Sequence, residues 1–155
     1  MKFTLKSANH LFNKILMLTL LLLASNSYAG KFFAPGGIAI GGYDPVSYFV
    51  DNQAQKGSEQ FKYAWHNVDW HFSSAQHLTL FKAAPQKYAP QFGGFCALGA
   101  AHNGAVPVDP TIFTIHKGKL YLNMATPVGV TWRLNPDFHI ARASKAWDNG
   151  DIVFY

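Results

Sequence analysis

The sequence predicts an α+β fold: one small domain of two β-hairpins packed with several short helices. Three patterns lead there. Phe61, Tyr63 and Trp65 alternate, as do Trp70 and Phe72 beyond a polar HNVD stretch, which reads as a hairpin with one aromatic face. TIFTIH and KLYLNM flank Lys117-Gly118 as a second hairpin. Between and after these, the apolar period changes from two to three or four, the mark of helices. Strands gathered in hairpins and segregated helices make α+β.

Taken in order, KFFAPGGIAIGGYDP (31–45) is punctuated by Gly and Pro and reads as a loop-rich lead-in with a short extended piece. Val46 to Val50 suits a strand, and the polar run 51–60 an exposed loop. On the strand of Trp70 and Phe72, His71 and Ser73 fall on the opposite face by the period of two. Ser73 with Gln76 forms a capping-box start for a helix carrying Ala75, Leu78 and Phe81, which Pro85 ends near Ala84. Thr126 before Pro127 and Asn135 before Pro136 mark two further helix starts. Ile140, Ala143 and Trp147 form the last helix's apolar stripe, and Asn149-Gly150 stops it. No internal repeat is legible.

The 155 residues begin with a secretory pattern. Lys2, Lys6 and Lys14 form a positive region before the apolar run Ile15–Ala24, and small Ser27 and Ala29 precede a cut at Gly30. A bilayer span needs roughly 20 apolar residues, so this run is expected to be removed as residues 1–29, leaving no stable membrane anchor. The domain is then 30–155, periplasmic or secreted. Those three lysines are part of the 13 Lys+Arg, and none of the 8 Asp+Glu precedes Gly30, so the mature chain carries only +2. No basic stripe is present, which argues against nucleic acid as a partner. With 1 cysteine, no internal disulfide forms and packing alone holds the fold.

Three stretches, AIGGYDPVSYF (39–49), WHFSSAQHLTLFKAAPQKYAPQFGGFCA (70–97) and GKLYLNM (118–124), resemble an exported YHS-domain protein. The resemblance implies a small α+β domain related to cysteine-rich metal-binding modules, and metal handling, copper above all. It also implies a cysteine after the Asp-Pro-Val and another in the aromatic strand. Here those places hold Ser47 and Ser73, and hydroxyls are poor substitutes for thiolates toward Cu(I) or Zn.

Cys96, in GGFCALG, therefore admits two readings. One is a small buried hydrophobe beside glycines that let backbones approach. The other is a thiolate in the first turn of a helix running from Phe95, favoured by the dipole there. His102 lies about 240° around such a helix from Cys96 and is no base for it. As a metal site the candidates are Cys96 as anchor, His71 as helper and Met124, since Cys96 and Met124 are the only sulfurs after residue 29. His66 and His116 fall at hairpin turns and read as solvated; Asp44 and Asp109 precede prolines and read as turn-setters. No paired-carboxylate, phosphate-loop or Ser-His-Asp signature is visible.

The functional expectation is a non-catalytic binding module of the cell envelope that senses or carries copper or another transition-metal ion. Its partners would be that metal or an envelope protein. The alternatives are a structural or interaction domain with a buried Cys96, and a thiol-dependent redox enzyme. The oligomeric state is not indicated.

Overall fold

The computed structural model describes residues 32–154, so the expected signal peptide lies outside the described residues. The chain is α+β, as its patterning predicts. Strands β1 (Ser58–Trp65) and β2 (Val68–Phe72) form the first antiparallel hairpin, and β4 (Asp109–His116) and β5 (Lys119–Asn123) the second. Short β3 (Gly104–Ala105) pairs in parallel with β6 (Val153–Phe154). The helices are α1 (Ser47–Val50), α2 (Ala75–Ala83), α3 (Pro85–Tyr88), α4 (Ala97–Ala100), α5 (Thr126–Leu134) and α6 (Pro136–Asn149).

The first hairpin packs as its alternation requires. Trp70 and Phe72 are buried against Phe81 of α2, with ring centroids 5.2 and 5.1 Å away, and Phe61, Tyr63 and Trp65 close over them. The second hairpin buries Leu120 and Leu122 against Ile40 and Tyr48, and Tyr121 against Trp132 of α5. Each buried large side chain contributes about 1.5–3 kcal/mol of transfer free energy, so these aromatic contacts dominate the core.

Several local expectations change. Val46 to Val50 is helical, because Asp44 Oδ1 accepts from the Val46 N–H (2.8 Å), and the Phe49 and Val50 N–H groups then bond the Val46 carbonyl. The polar loop ends at Gly57, and β1 begins with exposed Ser58, Glu59 and Gln60. Gly57 is obligatory through closeness: a Cβ there would lie 2.4 Å from the His71 carbonyl carbon. The cap of α2 is Ser74, whose hydroxyl accepts from the His77 N–H (3.1 Å), which releases Ser73 for another partner. Ala125, not Thr126, precedes α5 as its cap. Asn135, Pro136 and Gly150 bound α6 as expected, Gly150 with φ 77°.

The structure also contains a duplication. Both hairpins turn through two residues of positive φ, His66-Asn67 and Lys117-Gly118. Both carry an irregularity at the same place: Ser58 opposes Phe72 and Lys62 opposes His71, while Asp109 opposes Asn123 and Phe113 opposes Leu122. Each hairpin is followed by a nine-residue helix, then Ala84 (φ −152°, ψ 66°) or Asn135 (φ −149°, ψ 68°), then a Pro-led helix. Upstream, Ile40-Gly41-Gly42 and Phe92-Gly93-Gly94 are matching left-handed turns. The next residues also match, since Asp44 N–H bonds Gln55 O (2.8 Å) and Cys96 N–H bonds Val106 O (2.9 Å). Almost no side chains agree between the halves, which is why the repeat is invisible in the sequence. Backbone geometry tolerates wide substitution as long as polarity and turn chemistry persist.

Candidate functional site

The duplication places Asp44 and Cys96 at equivalent positions, and each anchors a buried polar centre. In the first half Asp44 is completely buried. Its Oδ1 caps α1, while its Oδ2 accepts from Ser73 N–H (2.8 Å), Ser73 Oγ–H (2.7 Å) and His77 Nδ1 (2.7 Å). Ser47 Oγ donates within this knot, 2.8 Å from the Asp44 carbonyl and 2.9 Å from that of Gln53. His77 Nε2 faces Asp51 Oδ2 at 3.8 Å. Burial holds the Tyr48 phenol above its ordinary range, with Tyr43 and Asp44 adding to the effect. Its hydroxyl donates to Pro110 O (2.9 Å) and ties α1 to β4.

Asp, His and Ser are thus neighbours, but not as a hydrolytic triad. In a triad the hydroxyl bonds the ring nitrogen that the carboxylate leaves free. Here Ser73 Oγ (3.2 Å) and Asp44 both address Nδ1, and the hydroxyl proton is committed to Asp44. The arrangement is a clasp joining the lead-in, β2 and α2. Sequence reading assigned Asp44 its turn-setting half and missed His77. The available signal was the spacing of His77 from Ser73, one helical turn apart.

In the second half Cys96 is 1 % exposed and caps the short helix α4. Its backbone bridges Leu122, its Sγ accepts from Gly99 N–H (3.5 Å), and its S–H donates to Asn123 Oδ1 (3.6 Å). Leu98 N–H also donates to Asn123 Oδ1 (3.3 Å), which fixes the amide with its oxygen toward the thiol. The helix begins at Ala97, one residue beyond Cys96.

The three residues expected to bind metal are divided between the halves. His71 lies on β2, half-buried, its ring near Gly42. Met124 holds the position equivalent to Ser73 and is 48 % exposed, whereas the Cys96 thiol is turned onto Asn123 and Gly99. Among the described residues no group of three or more His, Cys, Asp or Glu is placed to hold a metal ion. His116, read as solvated, is half-buried, with Nε2 2.9 Å from Asp137 Oδ1. Hydrogen bonds from Lys117 and then His116 hold the Asp137 carboxyl below the usual range. Asp109 does set a turn, accepting from the N–H (2.9 Å) and hydroxyl (2.7 Å) of Thr111.

A third feature was not anticipated: a groove of about 290 Å³ where the two halves meet. Phe32 and Trp65 (centroids 5.6 Å apart) contribute from the first half; Phe92 and Trp147 (6.0 Å apart) contribute from the second. All four rings are only partly buried. The connecting segment Ala89–Gly93 also lines it, as do Gln86 of α3 and Ser144 and Asp148 of α6. Trp147 was expected only as part of a helix stripe, and its partners lie far away in sequence. No helix among the described residues is long and apolar enough to cross a membrane.

Compared with models of known families, with curated proteins and with solved structures, the chain matches none.

Proposed function

We propose that the protein is a non-catalytic binding module of the cell envelope whose ligand site is the groove between its two halves. The observation that supports this reading is the contrast between the polar centres and the groove. The Asp44 and Cys96 side chains turn inward onto partners within the fold. The groove instead gathers four half-exposed rings with polar side chains around a concave surface, the composition of small-ligand sites. The envelope assignment rests on the N-terminal pattern of residues 1–29.

Nuclear magnetic resonance of the folded protein with a library of small polar and aromatic solutes tests the reading. Binding should shift the indole N–H signals of Trp65 and Trp147 together, and Trp147→Ala should abolish the response. Shifts confined to other regions, or none, would overturn it.

The resemblance to YHS domains supports a second reading, in which Cys96 anchors a copper or other transition-metal ion with help from His71 or Met124. Metal content of the purified protein separates the two. The first reading expects wild type and Cys96→Ser to carry equal amounts, and metal lost with the thiol would establish the second.

A further inference from the structure

We propose that the groove takes a small organic cation of the quaternary-ammonium class. The inference rests on the groove being the ligand site and goes further, to the chemistry of the ligand. Its walls are aromatic on both sides, Phe32 and Trp65 facing from one half and Phe92 and Trp147 from the other. Ring faces carry the negative end of a quadrupole and attract cations, most strongly when the cation is poorly hydrated. Among the described residues Asp148 is the single charged side chain lining the groove, and it is negative; none of them brings a lysine or arginine into its lining.

Elsewhere in this protein rings are already occupied by its own cations. Lys56, Lys82 and Lys87 lie 4.1, 5.2 and 5.0 Å from the ring centres of Tyr43, Tyr63 and Tyr88, and Arg142 lies 5.7 Å from that of Phe138. Among the described residues no lysine or arginine lies over the groove rings in this way, and the His66 imidazole packs edge-on against Trp65 (centroids 4.2 Å) and beside Phe32 (5.9 Å). Gln86 and Ser144 beside them supply uncharged donors and acceptors for a hydroxyl or carbonyl on the same ligand. A volume of about 290 Å³ suits a headgroup-sized molecule and not a polymer.

Placing the groove at the seam explains why it needs both halves. Trp65 is held by Trp70 and Phe81 of the first core (5.7 and 5.6 Å), and Trp147 by Phe95 and Phe154 (6.5 and 6.3 Å) of the second. The two walls are therefore set independently, each by its own packing. Such preorganised rings lose little entropy on binding.

The test titrates the folded protein with choline, with 3,3-dimethylbutanol as its uncharged carbon isostere, and with glucose, following tryptophan fluorescence and the indole N–H shifts of Trp65 and Trp147. Choline is expected to saturate, and to bind about tenfold tighter than the isostere. Asp148→Asn, an exposed and conservative change, should weaken choline about two- to fivefold without altering the isostere's affinity. Trp147→Ala should weaken choline at least as much, with unfolding curves confirming that both variants fold. Equal affinity for the isostere, or preference for glucose, overturns the cation assignment while leaving the groove a binding site. Silence with choline overturns it as well, and the solute library then decides separately whether the groove binds anything.

Discussion

Replacing Asp44 with alanine should lower the unfolding free energy by about 3–5 kcal/mol, the cost of breaking a buried charged hydrogen-bond network by removing one partner. The carboxylate is wholly buried and accepts from the Val46 N–H, both donors of Ser73, and His77 Nδ1. Alanine leaves those donors in the interior without the carboxylate oxygens that satisfied them. A small domain has only about 5–15 kcal/mol of total stability, so the variant should be close to unfolded at physiological temperature. Urea unfolding followed by circular dichroism measures the loss. Asp44→Asn should cost less, since it keeps the shape and one acceptor. A cycle with His77→Ala should show strong non-additivity, because the two residues share one bond. A loss below about 1 kcal/mol for Asp44→Ala would mean that the clasp is not the structural device described.

Trp70→Ala should be as damaging, costing about 3–5 kcal/mol through lost transfer energy and the cavity left behind. Trp70 is wholly buried between Trp65 and Phe81, and its indole N–H donates to the Trp65 carbonyl at 3.1 Å. The cavity would lie directly beneath Trp65, one wall of the groove. The substitution is therefore expected to broaden the Trp65 indole resonance in protein that remains folded, alongside the lowered unfolding midpoint. Trp70→Phe refills most of the volume and should recover much of the loss, which separates cavity formation from a general failure to fold. A Trp70→Ala variant of wild-type stability would contradict the burial of this ring.

Both residues show how far the sequence alone reaches. Trp70 and Phe72 were assigned correctly to a core face because a strand's period of two is written in adjacent residues. Asp44 was assigned only its local bond to Val46, since the donors from Ser73 and His77 lie on another element. Val46–Val50 misled for a related reason: a short apolar run does not distinguish strand from helix, and the Asp44 cap decided it. Of the two readings left open for Cys96, its position at the start of α4 was nearly legible, one residue off. Its contact with Asn123 was not, because that depends on how β5 lies against the glycine turn.

By itself the sequence determined the α+β class, both hairpins, the Lys117-Gly118 turn of the second, the aromatic face of the first, and the start and stop of α6. Each of these follows from neighbours in the chain: period, cap, proline or glycine. Only the tertiary structure decided that the chain is two copies of one backbone motif, that Asp44 and Cys96 are counterparts, and that Trp65 and Trp147 face a common groove. The physical reason is that packing joins residues by shape and by burial of polar groups, and those partners can be any distance apart along the chain.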